Sequence, residues 1–223
     1  MSATTLIVPG FHGSGPGHWQ TWMESRVGGA RRVAGIDWES PVLETWAAAL
    51  RHEIRRSPGP VWLVAHSFGC LVAVVAGAAL ADRVAGALLV APADPERFSA
   101  LGLREDRAAG IDSLAASLPR QNLGFPSLVV ASGNDPWMTT RNLTPWSEAW
   151  GSRLIGIGQA GHINTESGFG PWPMGLALLH LFQRTTRAAA APRRASAIST
   201  AGALDRRIAW FAARGKGNTL TGS

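Results

Sequence analysis

Ten residues constrain this chain more than any others: Val61-Trp62-Leu63-Val64-Ala65-His66-Ser67-Phe68-Gly69-Cys70. An apolar run of strand length ends in a small residue, a serine with one neighbour on each side, and a glycine. A long alanine- and valine-rich stretch follows. The pattern predicts a strand, a sharp turn with Ser67 at its tip, and a helix, with Ala65 where a G-x-S-x-G turn has its first glycine. Residues two before and two after the serine must be small, because the turn brings them against neighbouring backbone. Gly69 meets that demand freely and Ala65 at some steric cost. The same residues are also compatible with a plain N-cap serine after a strand.

The rest of the chain alternates in the same way. Strands are expected at Thr4–Val8, Arg32–Ile36, Val61–Ala65, Val84–Val90, Ser127–Ser132 and Ser152–Ile157. Helices are expected from His18, over Pro41–Arg56 with Pro41 in the first turn, and over Gly69–Ala81, Thr139–Trp150 and Pro173–Gln183. Strands separated throughout by helices imply an α/β fold with a parallel sheet of about six strands and helices on both faces. Residues 93–124 have weak periodicity and read as an insertion above the sheet, too short for a large cap domain. The polar and glycine-rich loops follow the first, third, fifth and sixth strands, so they share the rim where ligands of such sheets sit.

Charge divides the chain at about residue 184. Residues 1–183 hold thirteen arginines against fourteen acids, whereas residues 184–223 hold seven arginines and one lysine against Asp205. The net charge of +6 therefore belongs to the tail and does not mark the core domain as a nucleic-acid binder. The tail from Thr185 is rich in alanine, arginine and serine and reads as linker, with Leu204, Ile208 and Phe211 on one face of a short amphipathic helix. Its readings are a solvated extension or a segment touching nucleic acid or an anionic membrane, and its partner is unknown. One cysteine, Cys70, excludes an internal disulfide. No run reaches the length of a signal-peptide core or a membrane span, and a cytoplasmic location is expected.

A serine hydroxyl needs a base to take its proton and a carboxylate to orient that base. Ser67 after the third strand, Asp135 after the fifth and His162 after the sixth supply these groups in the chain order of an α/β-hydrolase. Taken singly, Asp135 before Pro136 reads as a turn-former and His162 as a structural ring, and it is their joint placement that points to a triad. An oxyanion needs donors, for which the backbone N–H groups of Phe68 and of Phe11, after Gly10, are the candidates. Gly10, His12, Ser14, His18, Trp19, Trp137 and Trp172 lie on or beside the rim loops and are candidate pocket residues. For the tryptophans core packing is the alternative, and for Ser14 and His18 a surface loop. His66 reads as a supporting hydrogen-bond partner and Cys70 as a small buried residue. No pair of histidines or cysteines has metal-ligand spacing, and the glycines at 13–17 match neither phosphate-loop nor dinucleotide spacing.

Four motifs together carry a resemblance: Val8-Pro9-Gly10-Phe11-His12-Gly13-Ser14-Gly15-Pro16-Gly17-His18-Trp19-Gln20, Ala65-His66-Ser67-Phe68-Gly69-Cys70, Ser132-Gly133-Asn134-Asp135-Pro136 and Gly161-His162-Ile163-Asn164. With the run Ser167-Gly168-Phe169-Gly170-Pro171-Trp172-Pro173-Met174-Gly175, the chain over residues 4–183 resembles the retinoblastoma-binding-protein-9/YdeN-type serine hydrolases. The resemblance implies a compact α/β-hydrolase with Ser67, Asp135 and His162 as triad. Phe68 and Trp137 depart from the aliphatic residue and the tyrosine of the family pattern. The expected activity is hydrolysis of small carboxylic esters, or amides, through an acyl-enzyme and without a cofactor. The alternative is a protein-interaction module on a hydrolase scaffold with an idle triad.

Overall fold

The apolar runs pair into one parallel sheet whose interior strands are buried on both faces. A computed structural model describes residues 3–104 and 112–190 of the protein. In chain order the elements are β1 (Thr5–Val8), α1 (Trp19–Glu24), β2 (Ala30–Arg32), α2 (Leu43–Arg56), β3 (Val61–His66), α3 (Phe68–Ala78) and β4 (Val84–Val90). A short antiparallel pair follows, β5 (Phe98–Ser99) and β6 (Gly102–Leu103). The chain then forms β7 (Ser127–Ala131), α4 (Thr140–Ala149), β8 (Arg153–Gly156) and α5 (Pro173–Ala190). The main sheet runs β2-β1-β3-β4-β7-β8, every pair parallel.

Side chains alternate between two cores, as a period of two requires. Leu6, Val8, Leu63, Ala65, Leu89 and Val129 join the cluster built with α2 and α3, while Ile7, Trp62, Val64, Leu88, Val90 and Val130 join the one built with α1 and α5. This is why the interior strands read as continuous apolar runs rather than alternating ones. Helix α2 shows the opposite pattern, with Leu43, Trp46, Ala47, Leu50 and Ile54 on one buried stripe and Arg55 and Arg56 at the end where the helix dipole favours cations. Glu53 is buried on that stripe and is held by Arg31 of β2 and by Arg56.

Sheet order reverses between β1 and β3, since β2 extends the sheet to one side of β1 and all later strands to the other. That reversal opens a crevice at the carboxyl ends of these two strands.

Several boundaries differ from expectation. The second strand is Ala30–Arg32 rather than 32–36, because the chain enters the left-handed region at Gly35 and cannot stay extended through it. Helix α2 starts at Leu43, with Val42 as its cap, so Pro41 precedes the helix. Helix α3 ends at Ala78, and a separate short turn covers Ala81–Arg83. Helix α5 continues to Ala190, past the expected end at Gln183. Residues 98–103 of the insertion form the β5–β6 hairpin, with Phe98 buried in the core below it. The amphipathic stretch at Leu204–Phe211 lies outside the described residues. Among the described residues no helix is long and apolar enough to cross a membrane.

Candidate active site

The serine sits at the tip of a strained turn. Ser67 has φ 54° and ψ −125°, a conformation that non-glycine residues adopt only where their surroundings enforce it. Its N–H donates to the Val90 carbonyl of β4 at 3.1 Å, and its own carbonyl accepts from Cys70 at 2.9 Å. The turn presses α3 against the end of β1. A Cβ at Gly69 would overlap the carbonyl oxygens of Val8 and Pro9, so glycine is required there. A Cβ at Gly10 would stand 2.8 Å from that of Ser67, which brings the loop after β1 within touching distance of the serine.

Asp135 and His162 arrive from the loops after β7 and β8. The His162 ring meets the Asp135 carboxylate through Nδ1 at 2.9 and 3.0 Å, and meets the Ser67 hydroxyl through Nε2 at 2.8 Å. With Nδ1 protonated toward the carboxylate, Nε2 is left to accept the serine proton. All three residues are buried. Asp135 also accepts the Trp137 N–H at 2.8 Å, so it forms a turn and orients the imidazole at once.

The loop that carries His162 is fixed by side chains from elsewhere. The Ala160 N–H donates to Ser132 Oγ at 2.9 Å, the Gly161 N–H to Asn134 Oδ1 at 2.8 Å, and the His162 N–H to Ser167 Oγ at 3.0 Å. Asn164 in turn accepts from the Ser167 hydroxyl at 2.8 Å. Ser132, Asn134, Asn164 and Ser167 are thus supporting residues to which the sequence reading assigned no role. The signal open to it was their crowding around the two motifs that hold Asp135 and His162.

A serine, an imidazole and a carboxylate are thus joined by hydrogen bonds at the crevice of a parallel α/β sheet. The model of the serine hydrolase family matches residues 5–181. The chain belongs to the serine hydrolase family. Among solved structures, a protein of Pectobacterium atrosepticum described as a YdeN-like hydrolase is 37% identical, with a TM-score of 0.72 over 83% of this chain and 92% of its own. The YdeN protein of B. subtilis is 21% identical, with a TM-score of 0.62 over 81% of this chain and 98% of its own. Est1E from Butyrivibrio proteoclasticus, in a structure with ferulic acid bound, is 15% identical and shares the fold, with a TM-score of 0.60 over 86% of this chain and 90% of its own. A search of curated proteins returns no match.

Around the hydrolase's serine the candidate pocket residues separate into two sets. Gly10 touches Ser67, and the Trp137 ring lies 5.8 Å from that of His162, with the Arg97 guanidinium 4.9 Å from its centroid. Phe11 is half-buried and stacks on His12, which is exposed and pairs with Glu39 at 2.7 Å. The other set is buried, with Trp19 and Trp172 packed in one cluster with Ile163. Ser14 is buried and donates to the Gln20 side chain at 2.6 Å. Trp19 is buried and donates its indole N–H to the Ile163 carbonyl at 2.8 Å, and Trp172 packs edge-on against Trp19. His18 caps α1 by accepting the Gln20 N–H at 3.1 Å. Trp19 thus helps hold the loop of His162, and Ser14 and His18 help hold the start of α1.

Burial sets the charge states of His18, His66 and Cys70. It pushes the His18 pKa down to about 4, helped by Arg32 and His162, and pushes that of His66 well below the usual imidazole range, helped by His162 and His18. Burial also raises the Cys70 thiol well above its ordinary value, leaving it a poor nucleophile. Among the described residues no group of three or more histidines, cysteines or carboxylates is placed to hold a metal ion.

Proposed function

We propose that this hydrolase cleaves small carboxylic esters, with amides as a second substrate class, through an acyl-enzyme on Ser67. The observation that carries the reading is the unbroken line from Ser67 Oγ through the His162 ring to the Asp135 carboxylate. Ser67 Oγ attacks the acyl carbon as its proton passes to His162 Nε2, and Asp135 stabilises the imidazolium that forms. The tetrahedral intermediate collapses, the leaving alcohol takes the proton from His162, and the acyl group remains on Ser67. A water then repeats the sequence in place of the serine, releasing the acid and restoring the hydroxyl.

The oxyanion is held by the N–H groups of Phe68 and Phe11. Phe68 opens α3, where helix geometry gives its N–H no intrahelical partner. Phe11 follows Gly10 at the serine, and its neighbours His12 and Gly13 have their own N–H groups committed to the carbonyls of Trp38 and Gly10. The Trp137 ring, 5.8 Å from that of His162, favours an apolar acyl group.

Turnover of p-nitrophenyl acetate and labelling by a fluorophosphonate probe test the assignment together. Ser67→Ala is expected to abolish labelling and lower kcat by roughly 10⁴-fold or more. Persistence of both signals in that variant would overturn it.

A further inference from the structure

His66 stands next to the serine and takes no part in the proton relay, yet it is buried and its ring is committed to one hydrogen bond. Its Nε2 meets the His162 carbonyl at 2.9 Å. A carbonyl oxygen only accepts, so Nε2 carries the ring proton. Two consecutive residues of the turn therefore grip one residue of the base loop, Ser67 by its imidazole and His66 by its main chain. The peptide bond between 66 and 67 closes the circuit, so movement of His162 away from the strand end must break both contacts.

The restraint falls where the loop needs it. Ile163, a β-branched residue, has φ 49°, and such a conformation persists only where its surroundings over-determine it. Two buried ring N–H groups hold the successive carbonyls at this point, His66 on that of His162 and Trp19 on that of Ile163. The rings of His18 and His162 each lie 4.9 Å from that of His66. A second proton on His66 would place a cation against the imidazole just as that ring receives the proton of Ser67. Burial keeps the second proton off.

We propose that His66 is a positioning residue for the base: as the neutral Nε2–H tautomer it holds the His162 main chain so that the imidazole stays between Ser67 Oγ and the Asp135 carboxylate. The inference rests on the relay proposed above. Nitrogen NMR of the histidine rings in the full-length protein at neutral pH reads the tautomer directly. A neutral His66 protonated at Nε2 is expected, and a cationic ring or a proton on Nδ1 overturns the proposal. His66→Phe keeps a ring and removes the donor, and it is expected to lower kcat for p-nitrophenyl acetate roughly 10- to 100-fold with KM within about 3-fold. His66→Gln restores a side-chain N–H and should return kcat to within roughly 5-fold of the parent. Equal losses in the two variants, or parental kcat in His66→Phe, would sink the positioning role. Ser67→Ala separates the two failures. Turnover surviving in that variant overturns the relay itself, whereas an inactive Ser67→Ala beside an unaffected His66→Phe overturns only the part assigned to His66.

Discussion

The turn that carries Ser67 and the loop that carries His162 meet at two hydrogen bonds, and they are held in place by opposite means. The turn is a steric object: β3, α3 and the end of β1 are pressed together until only glycine fits at position 69, and Ser67 is forced into a conformation it would not choose. The base loop is a hydrogen-bonded object. Side chains of Ser132, Asn134, Ser167, His66 and Trp19 hold its main chain, some from as far as 144 residues away. Sterics of the first kind fail abruptly, because backbone atoms cannot yield. Hydrogen bonds of the second kind fail by degrees, because each is worth only about 1 kcal/mol net.

The sharpest way to break this contrast is Gly69→Ala. An ordinary overpacked side chain costs about 1–3 kcal/mol because neighbours shift. Here the added methyl meets the carbonyl oxygens of Val8 and Pro9, at the end of the first strand. The expected loss is at or above the top of that range, about 3 kcal/mol or more, read from urea unfolding. A loss below about 1 kcal/mol would show that the turn is not set by backbone contact.

At the start of α1 the corresponding test is electrostatic. Nδ1 of His18 must be bare to accept the Gln20 N–H, and its pKa is lowered from 6.5 to about 4. Between these values the unfolded chain binds more protons than the folded one, so stability rises with pH across the window. The contribution is complete above pH 6.5 and is lost as pH falls through about 4. Over the whole window it amounts to about 3 kcal/mol, and His66 acts in the same sense. His18→Asn keeps a capping oxygen and removes the titration, so its unfolding free energy should be flatter between pH 4 and 6.5. An unchanged slope would move the effect to other groups.

A smaller effect is expected from Asn134→Ala. Asn134 Oδ1 accepts from both the Ser132 hydroxyl and the Gly161 N–H, and so ties the loop of Asp135 to the loop of His162. Losing it should cost about 1–2 kcal/mol in thermal unfolding and lower ester turnover about tenfold, since the imidazole is no longer held square to the carboxylate. Parental turnover would show that the other clamps suffice.

The same contrast explains what could be read from the chain. The turn was legible because steric demands appear locally as small residues around Ser67. The interior strands β1, β3, β4 and β7 were legible because burial on both faces leaves unbroken apolar runs. The order of Ser67, Asp135 and His162 on successive rim loops was legible for the same reason, once the strands were placed. The part played by four of the candidate pocket residues was not. Ser14, His18, Trp19 and Trp172 flank rim loops in sequence, yet their side chains are engaged with Gln20, Ile163 and one another. Position along a chain reports which loop a residue belongs to, but not which side of the loop its side chain leaves by. The limits of β2 and α5 escaped for a related reason, because edge strands and last helical turns are decided by a few local contacts rather than by a repeating pattern.

Ala65→Gly, which restores the usual glycine of the turn, gives the finest test of the steric account. The two small positions flanking the serine are not equivalent in this protein. Gly69 faces main-chain oxygens, whereas Ala65 lies inside β3, paired with Val8 and Leu89, and its methyl belongs to the core shared with α2 and α3. Removing that methyl gives up buried apolar contact and frees the unfolded chain, each of which destabilises. The expected cost is about 1 kcal/mol, with ester turnover within about 2-fold of the parent. A gain in stability instead would mean that the methyl is compressed, and that the turn demands glycine equally on both sides of Ser67.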